Sequence, residues 1–203
     1  MPSPWRYDEK ARRYRDPKTG RFVGRAKMLA LRDTFVEAAK ETVGQLAAKV
    51  AQPGWIESMR EQLKQVYIDQ YCLGRGGRNA MTPSDWGRVG NMLKEQYRYL
   101  NNFAGDIAAG KLSEAQIAAR AKLYMASSTQ AYEKGKAYGM GVPPLPAYPG
   151  DHSTECGAQC KCEWDIQEWP NEYRAYWRLR PAEHCNTCLE RSQKWAPYRI
   201  PKF

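Results

Sequence analysis

Five of the six cysteines in this 203-residue chain fall in its last 48 residues, as Cys156, Cys160 and Cys162 and then, after a gap, Cys185 and Cys188. Clustered thiols on either side of a hairpin-length stretch are how small tetrahedral zinc sites are built. The segment 151–203 is too short to hold itself together by apolar burial alone, so a covalent or metal staple is required there. Zinc takes four ligands. The spacing favours Cys185 and Cys188 with Cys156 and one of Cys160 or Cys162, and it does not choose between the last two. Two disulfides, or one with unpaired thiols, are the competing arrangement; an odd number of thiols in the segment argues for metal.

The residues around the thiols suggest how they are presented. Cys162–Ile166 alternates in character, Tyr173–Leu179 is an aromatic strand candidate, and Trp169–Glu172 carries turn residues, so the two runs predict a hairpin. From Cys185 to Lys194 the sequence is helical, closed by Pro197. Knuckle, hairpin and a helix with Cys-x-x-Cys in its first turn is the order of a treble-clef-like zinc module, in which the helix N-terminus favours thiolates. A site made mainly of thiolates, with no open position, implies one structural zinc ion rather than a catalytic one. His184 is expected to point away from its neighbour Cys185 and to lie behind the ligands or at the surface, and His152 is not among the chosen ligands.

Ahead of this module the chain reads as mainly α-helical. Residues 25–50 are rich in Ala, Leu, Lys and Glu. Ile56, Met59, Leu63 and Val66 recur at helical spacing after Pro53, and Leu73-Gly74 supplies a stop. Thr82-Pro83-Ser84-Asp85 is a helix start, followed by a narrow seam through Val89, Leu93, Gln96, Leu100, Phe103 and Ile107 that suits either an intrachain bundle or a subunit contact. Ser113 and Gln116 form a capping box for a fourth helix, whose small-residue face permits close approach before Gly135 and Gly139 interrupt it. The expectation is therefore an antiparallel helical domain over 25–138. Four prolines in 139–150 predict a stiff spacer holding the module of 151–203 away from it.

The formal charge of +10 is concentrated at the front, where residues 1–32 carry ten Lys and Arg against three Asp and Glu. Residues 1–24 place Trp5, Tyr7, Tyr14 and Phe22 among arginines, with a turn at 16–20, and read as a basic extended arm. Arg12, Arg13, Arg15 and Arg21 are its foremost contact residues, directed to an acidic protein surface or to DNA. Gly74–Arg78 lacks the Gly-Lys-Ser/Thr ending of a nucleotide loop and reads as an exposed connection. No nucleophile has a defensible base partner, so no catalytic residues and no small-molecule substrate are expected. No apolar run nears the roughly 20 residues needed to span a bilayer. Met1-Pro2-Ser3-Pro4 has no signal-like apolar stretch, so the expectation is a soluble protein made in the cytosol, where thiols favour metal.

Trp5-Arg6-Tyr7 through Asp16-Pro17-Lys18-Thr19-Gly20-Arg21-Phe22, the helical middle, and Pro143-Pro144 leading into Cys156 and Cys160-Lys161-Cys162 together resemble the minor head proteins of tailed bacteriophages, the family typified by the Mu F protein. The likeness spans residues 1–166. It is most specific where a proline-rich approach meets an ending similar to that family's Cys-Arg-Cys, and Cys185 and Cys188 lie beyond that ending. The resemblance implies a virion component present in few copies, assembled in the host cytoplasm and associated with portal and capsid subunits near packaged DNA. The alternative from charge and thiols alone is a nucleic-acid-binding zinc protein.

Overall fold

The computed structural model describes residues 3–47, 49–50 and 52–202. Strands β1 (Arg6–Asp8) and β2 (Arg13–Arg15) form an N-terminal hairpin; helices α1 (Arg25–Ala47), α2 (Trp55–Arg75), α3 (Pro83–Ala108), α4 (Glu114–Ala126) and α5 (Thr129–Gly139) make the body. Strands β3 (Glu163–Glu168) and β4 (Glu172–Arg178), helix α6 (Asn186–Lys194) and strand β5 (Tyr198–Pro201) complete the chain. The fold is mainly helical with two small antiparallel sheets, one of β1 and β2 and one ordered β3-β4-β5.

Helices α3 and α4 start where capping chemistry places them. Thr82 and Asp85 cap α3 reciprocally, as Ser113 and Gln116 cap α4. The seam of α3 is internal: Val89, Leu93, Leu100 and Phe103 are buried with Met59, Leu63 and Tyr67 of α2 and Tyr124 of α4, so it serves the bundle. Five helices occupy the span expected to hold four. The break falls at Ser127 and Ser128, whose hydroxyls bond back to the carbonyls of Tyr124 and Met125 at 2.7 and 2.6 Å and tighten the turn. α1 ends at Ala47, with residue 48, inside the range expected to be helical, outside the described residues.

Gly135 and Gly139 do not interrupt a helix, and Gly74 neither stops one nor lies in an exposed connection. A Cβ on Gly74 would run into the Tyr132 carbonyl, and one on Gly135 into the Tyr71 carbonyl. These glycines let α2 and α5 cross with their backbones in contact, which no side chain would permit. α2 stops instead at Gly76, in the left-handed conformation at φ 108°.

Under this crossing lies a buried polar cluster centred on Asp85, whose carboxylate accepts from Tyr71 Oη at 2.8 Å, Arg75 Nε at 3.0 Å and Arg88 Nη1 at 3.0 Å. Burial works against its charge, but hydrogen bonds from Thr82, Tyr71 and Arg75 prevail and hold the carboxyl at about 2. Because the folded value lies below the unfolded one, the stabilisation is complete above about pH 4 and is lost as pH falls toward 2, an amount of about 2 kcal/mol. The stability difference between wild type and Asp85→Asn, measured in urea, is expected to shrink by that amount between pH 5 and pH 2. A difference independent of pH would mean that the carboxylate charge contributes nothing.

Two further sequence expectations are corrected. The segment 1–24, expected to be an extended arm, is folded onto the body over its described residues, 3–24: Tyr14 is buried with Leu73, Tyr132 and Phe35, and its hydroxyl donates to the Leu73 carbonyl at 3.0 Å. The interleaved aromatics supply the apolar face that docks the hairpin on α2 and α5. Residues 139–150 are not a spacer either. Val142, Leu145 and Tyr148 are buried in one cluster with Trp164, Trp177 and the cysteines, because the prolines fix an extended path along which apolar residues face the C-terminal sheet.

Candidate metal centre

The knuckle carrying the first three cysteines is shaped by Asp151, which accepts from the amides of Tyr148 and Ser153 at 2.7 and 2.9 Å, and by Gly157 at φ 53° opening a 3-10 turn over 157–159. This turn brings Cys156 and Cys160 to one side. Across from them Cys185 is the N-cap of α6, and Cys188, one turn in, donates its amide to the Cys185 carbonyl at 3.0 Å. Protein contacts also clamp the two halves. Glu155 of the knuckle accepts from Asn186 N at 3.2 Å and Thr187 Oγ1 at 3.1 Å, while Arg191 donates to the Ser153 carbonyl at 2.7 Å.

Sulfur positions follow from this clamp. Cys156 Sγ lies 3.8 Å from Cys188 Sγ and 3.7 Å from Cys185 Sγ, and Cys160 Sγ lies 3.6 Å from Cys188 Sγ. Thiolates about 2.3 Å from a tetrahedral zinc stand ~3.8 Å apart, so the spacing fits one ion held between them. Cys156, Cys160 and Cys188 form a group tight enough to hold a metal ion, with Cys185 against Cys156. The cluster is largely enclosed: Cys160 is 3% exposed, Cys162 and Cys188 0%.

Electrostatics within the cluster is uneven. A hydrogen bond from Cys162, against the opposing effect of burial, draws the Cys160 thiol down to about 5, while Cys162, as its partner, is pushed up. Burial raises Cys188 and Cys156. At Cys185 burial is outweighed by hydrogen bonds with Cys188 and Cys156, and its thiol is lowered. A negative charge on one sulfur discourages it on the next; a divalent cation reverses that by charging every thiol it touches.

The cluster rests on three tryptophans. Trp164 and Trp195 stack at 5.2 Å between ring centroids, and Trp177 meets both edge-on at 5.3 and 5.7 Å. The sheet is joined to the body at Glu133 of α5, which is fully buried. Its Oε1 meets Arg32 Nη1 of α1 at 3.2 Å, and its Oε2 takes Lys136 Nζ at 2.7 Å and the Trp164 amide at 3.2 Å. Arg25 adds a bond to Glu163 at 2.7 Å, and Arg180 one to Asp33 at 2.7 Å. Sequence reading missed this junction because its charges come from α1, α5 and β3, far apart along the chain.

His184 lies behind the thiol group, with its Nδ1 3.6 Å from Cys162 Sγ. His152, at φ 64°, is exposed beside Gly157. Of the four arginines assigned to an interaction arm, Arg12 donates to the Met140 carbonyl at 2.9 Å and pairs with Glu168 at 3.5 Å, Arg15 pairs with Asp8 at 2.7 Å, and Arg13 lies over the Phe22 ring. Arg12 and Arg15 thus hold the hairpin to the module and to itself, and Arg12, Arg13 and Arg21 are exposed.

Family models, curated proteins and solved structures give no match to the chain. Among the described residues, no helix is long and apolar enough to cross a membrane.

Proposed function

We propose that this chain is a structural, non-enzymatic component of a tailed-phage head, in which 151–203 is a treble-clef-like module stapled by zinc and the helical body packs against capsid or portal subunits near packaged DNA. The observation that carries a structural role is the thiol cluster itself. Its sulfurs have tetrahedral spacing, are mostly buried, and sit on a module fixed to the body through Glu133, with Glu155 engaged in capping α6 rather than available as a base. The placement in a phage head rests on the sequence resemblance over residues 1–166. The folded basic hairpin, rather than a free arm, supplies the surface for acidic partners, with Lys18 and Arg21 on the exposed turn that follows β2.

The test is quantitative mass spectrometry of particles banded from cells producing the chain in its own genetic context. A few copies per particle, resistant to salt washing, are expected. Absence from particles, together with binding to generic duplex DNA that falls steeply with salt, would replace this reading with that of a nucleic-acid-binding zinc protein.

A further inference from the structure

Strand β3 is an edge of its sheet, paired with β4 on one side only. In an antiparallel ladder every second residue turns both of its backbone groups away from the partner strand. Trp164 is such a residue: its N–H donates to Glu133 Oε2 at 3.2 Å and its carbonyl accepts from Lys136 Nζ at 2.5 Å, both on α5. The residue opposite it agrees, since the Trp177 amide donates to the Trp195 carbonyl at 3.2 Å rather than to β3. Ile166 and Glu168, two and four residues on, therefore also turn their N–H and C=O groups outward. Among the described residues, no second strand pairs with them there and no other backbone group bonds to them. This open stretch of edge borders a cleft of about 580 Å³. The cleft is bounded by Tyr132 and Lys136 of α5, by Lys10 and Arg13 of the N-terminal hairpin, and by Ile166 and Glu168 themselves. Its three carboxylates are all engaged: Glu163 by Arg25 at 2.7 Å, Asp165 by Arg178 at 3.2 Å and Glu168 by Lys202 at 2.8 Å. Lys10 and Arg13 are exposed and have no carboxylate partner among the described residues; Arg13 instead lies over the Phe22 ring.

We propose that this cleft takes an extended, acidic peptide segment of a partner protein, which adds to the outer edge of β3 as a further strand and sets its carboxylates against Lys10 and Arg13. Two independent features select that occupant. An open strand edge recognises the repeating donors and acceptors of an extended polypeptide, with side chains deciding which one. The unpaired cations select for negative charge and disfavour a basic segment. A nucleic acid has phosphates for Lys10 and Arg13 but no alternating N–H and C=O for Ile166 and Glu168, so the edge distinguishes the two kinds of polyanion. Side chains from α5 already meet the edge at Trp164, which fixes where the added strand must stop. The proposal goes beyond the reading of the chain as a head component and does not depend on it or on the metal, since the purified chain alone tests it.

The experiment is fluorescence anisotropy of the purified full chain with three labelled short peptides: Val alternating with Glu, the same peptide with every backbone amide N-methylated, and Val alternating with Lys. The Val–Glu peptide is expected to bind, and the other two to bind at least about tenfold more weakly. Lys10→Glu combined with Arg13→Glu, both exposed positions, should weaken the Val–Glu peptide by about tenfold and strengthen the Val–Lys peptide. Equal binding of the N-methylated peptide overturns strand addition. Equal binding of the Val–Lys peptide, or indifference to the charge reversal, overturns the acidic partner. No binding of the Val–Glu peptide below about 1 mM overturns the site itself. Displacement of that peptide by single-stranded DNA would give the cleft to nucleic acid, and a dimer of the chain alone that the peptide dissociates would give it to a second copy.

Discussion

Glu133→Ala is expected to destabilise the chain by roughly 3–5 kcal/mol, the cost of leaving a buried charge without its partner. Arg32 and Glu133 are 1% and 0% exposed, and each has further obligations. Removal of the carboxylate strands the Arg32 guanidinium, frees Lys136 and leaves the Trp164 amide without an acceptor. The effect should lie toward the lower end of the range, because Asp33 still holds Arg32 at 2.9 Å. Chemical denaturation followed by tryptophan fluorescence measures it. Replacing the pair together, Arg32→Met with Glu133→Leu, should cost less than the single change, since the buried guanidinium is then not stranded and only Lys136 and the Trp164 amide lose their partner. A loss below about 1 kcal/mol for Glu133→Ala would show that the junction is solvated and does not hold module to body.

Removal of metal is expected to have the larger effect on 151–203. A structural zinc contributes on the order of 10 kcal/mol to folding in isolated fingers, comparable to the whole stability of a domain at about 5–15 kcal/mol. The Glu155 and Arg191 clamps cannot replace it, being partly exposed and few. Chelation, or Cys188→Ser, should shift the emission of Trp164, Trp177 and Trp195 to the red and open 151–203 to protease. Since residues 137–148 share that core, the unfolding midpoint of the helical body should fall too. Unchanged emission and unchanged protection in a chain shown to be free of metal would defeat the idea of a staple.

Elements governed by neighbours in sequence were legible before any coordinates. Thr82 with Asp85, and Ser113 with Gln116, announce helices that begin at Pro83 and Glu114, and the strands flanking Trp169–Glu172 pair as expected. Elements governed by distant partners were not. Tyr14 reads as a stacking aromatic until Leu73 and Tyr132 are found around it, and Val142, Leu145 and Tyr148 read as linker until the tryptophan cluster covers them. Strand β5 escaped notice because its four residues acquire meaning only by pairing with β4. At the site, the cysteines were legible from spacing, whereas the turn of His184 toward Cys162 depends on the Arg180 carbonyl, which no spacing rule reports.

The junction at Glu133 also bears on how copies of the chain are made. A ribosome delivers α5 well before Trp164, so a growing or truncated chain presents one oxygen of Glu133 and the apolar run at 142–148 without the sheet that covers them. Such a chain is a substrate for chaperones and proteases, and it becomes compact only when β3 and the strands after it arrive. The last quarter of the sequence thus completes a core begun by residues 137–148 and is not an appendage to a finished body.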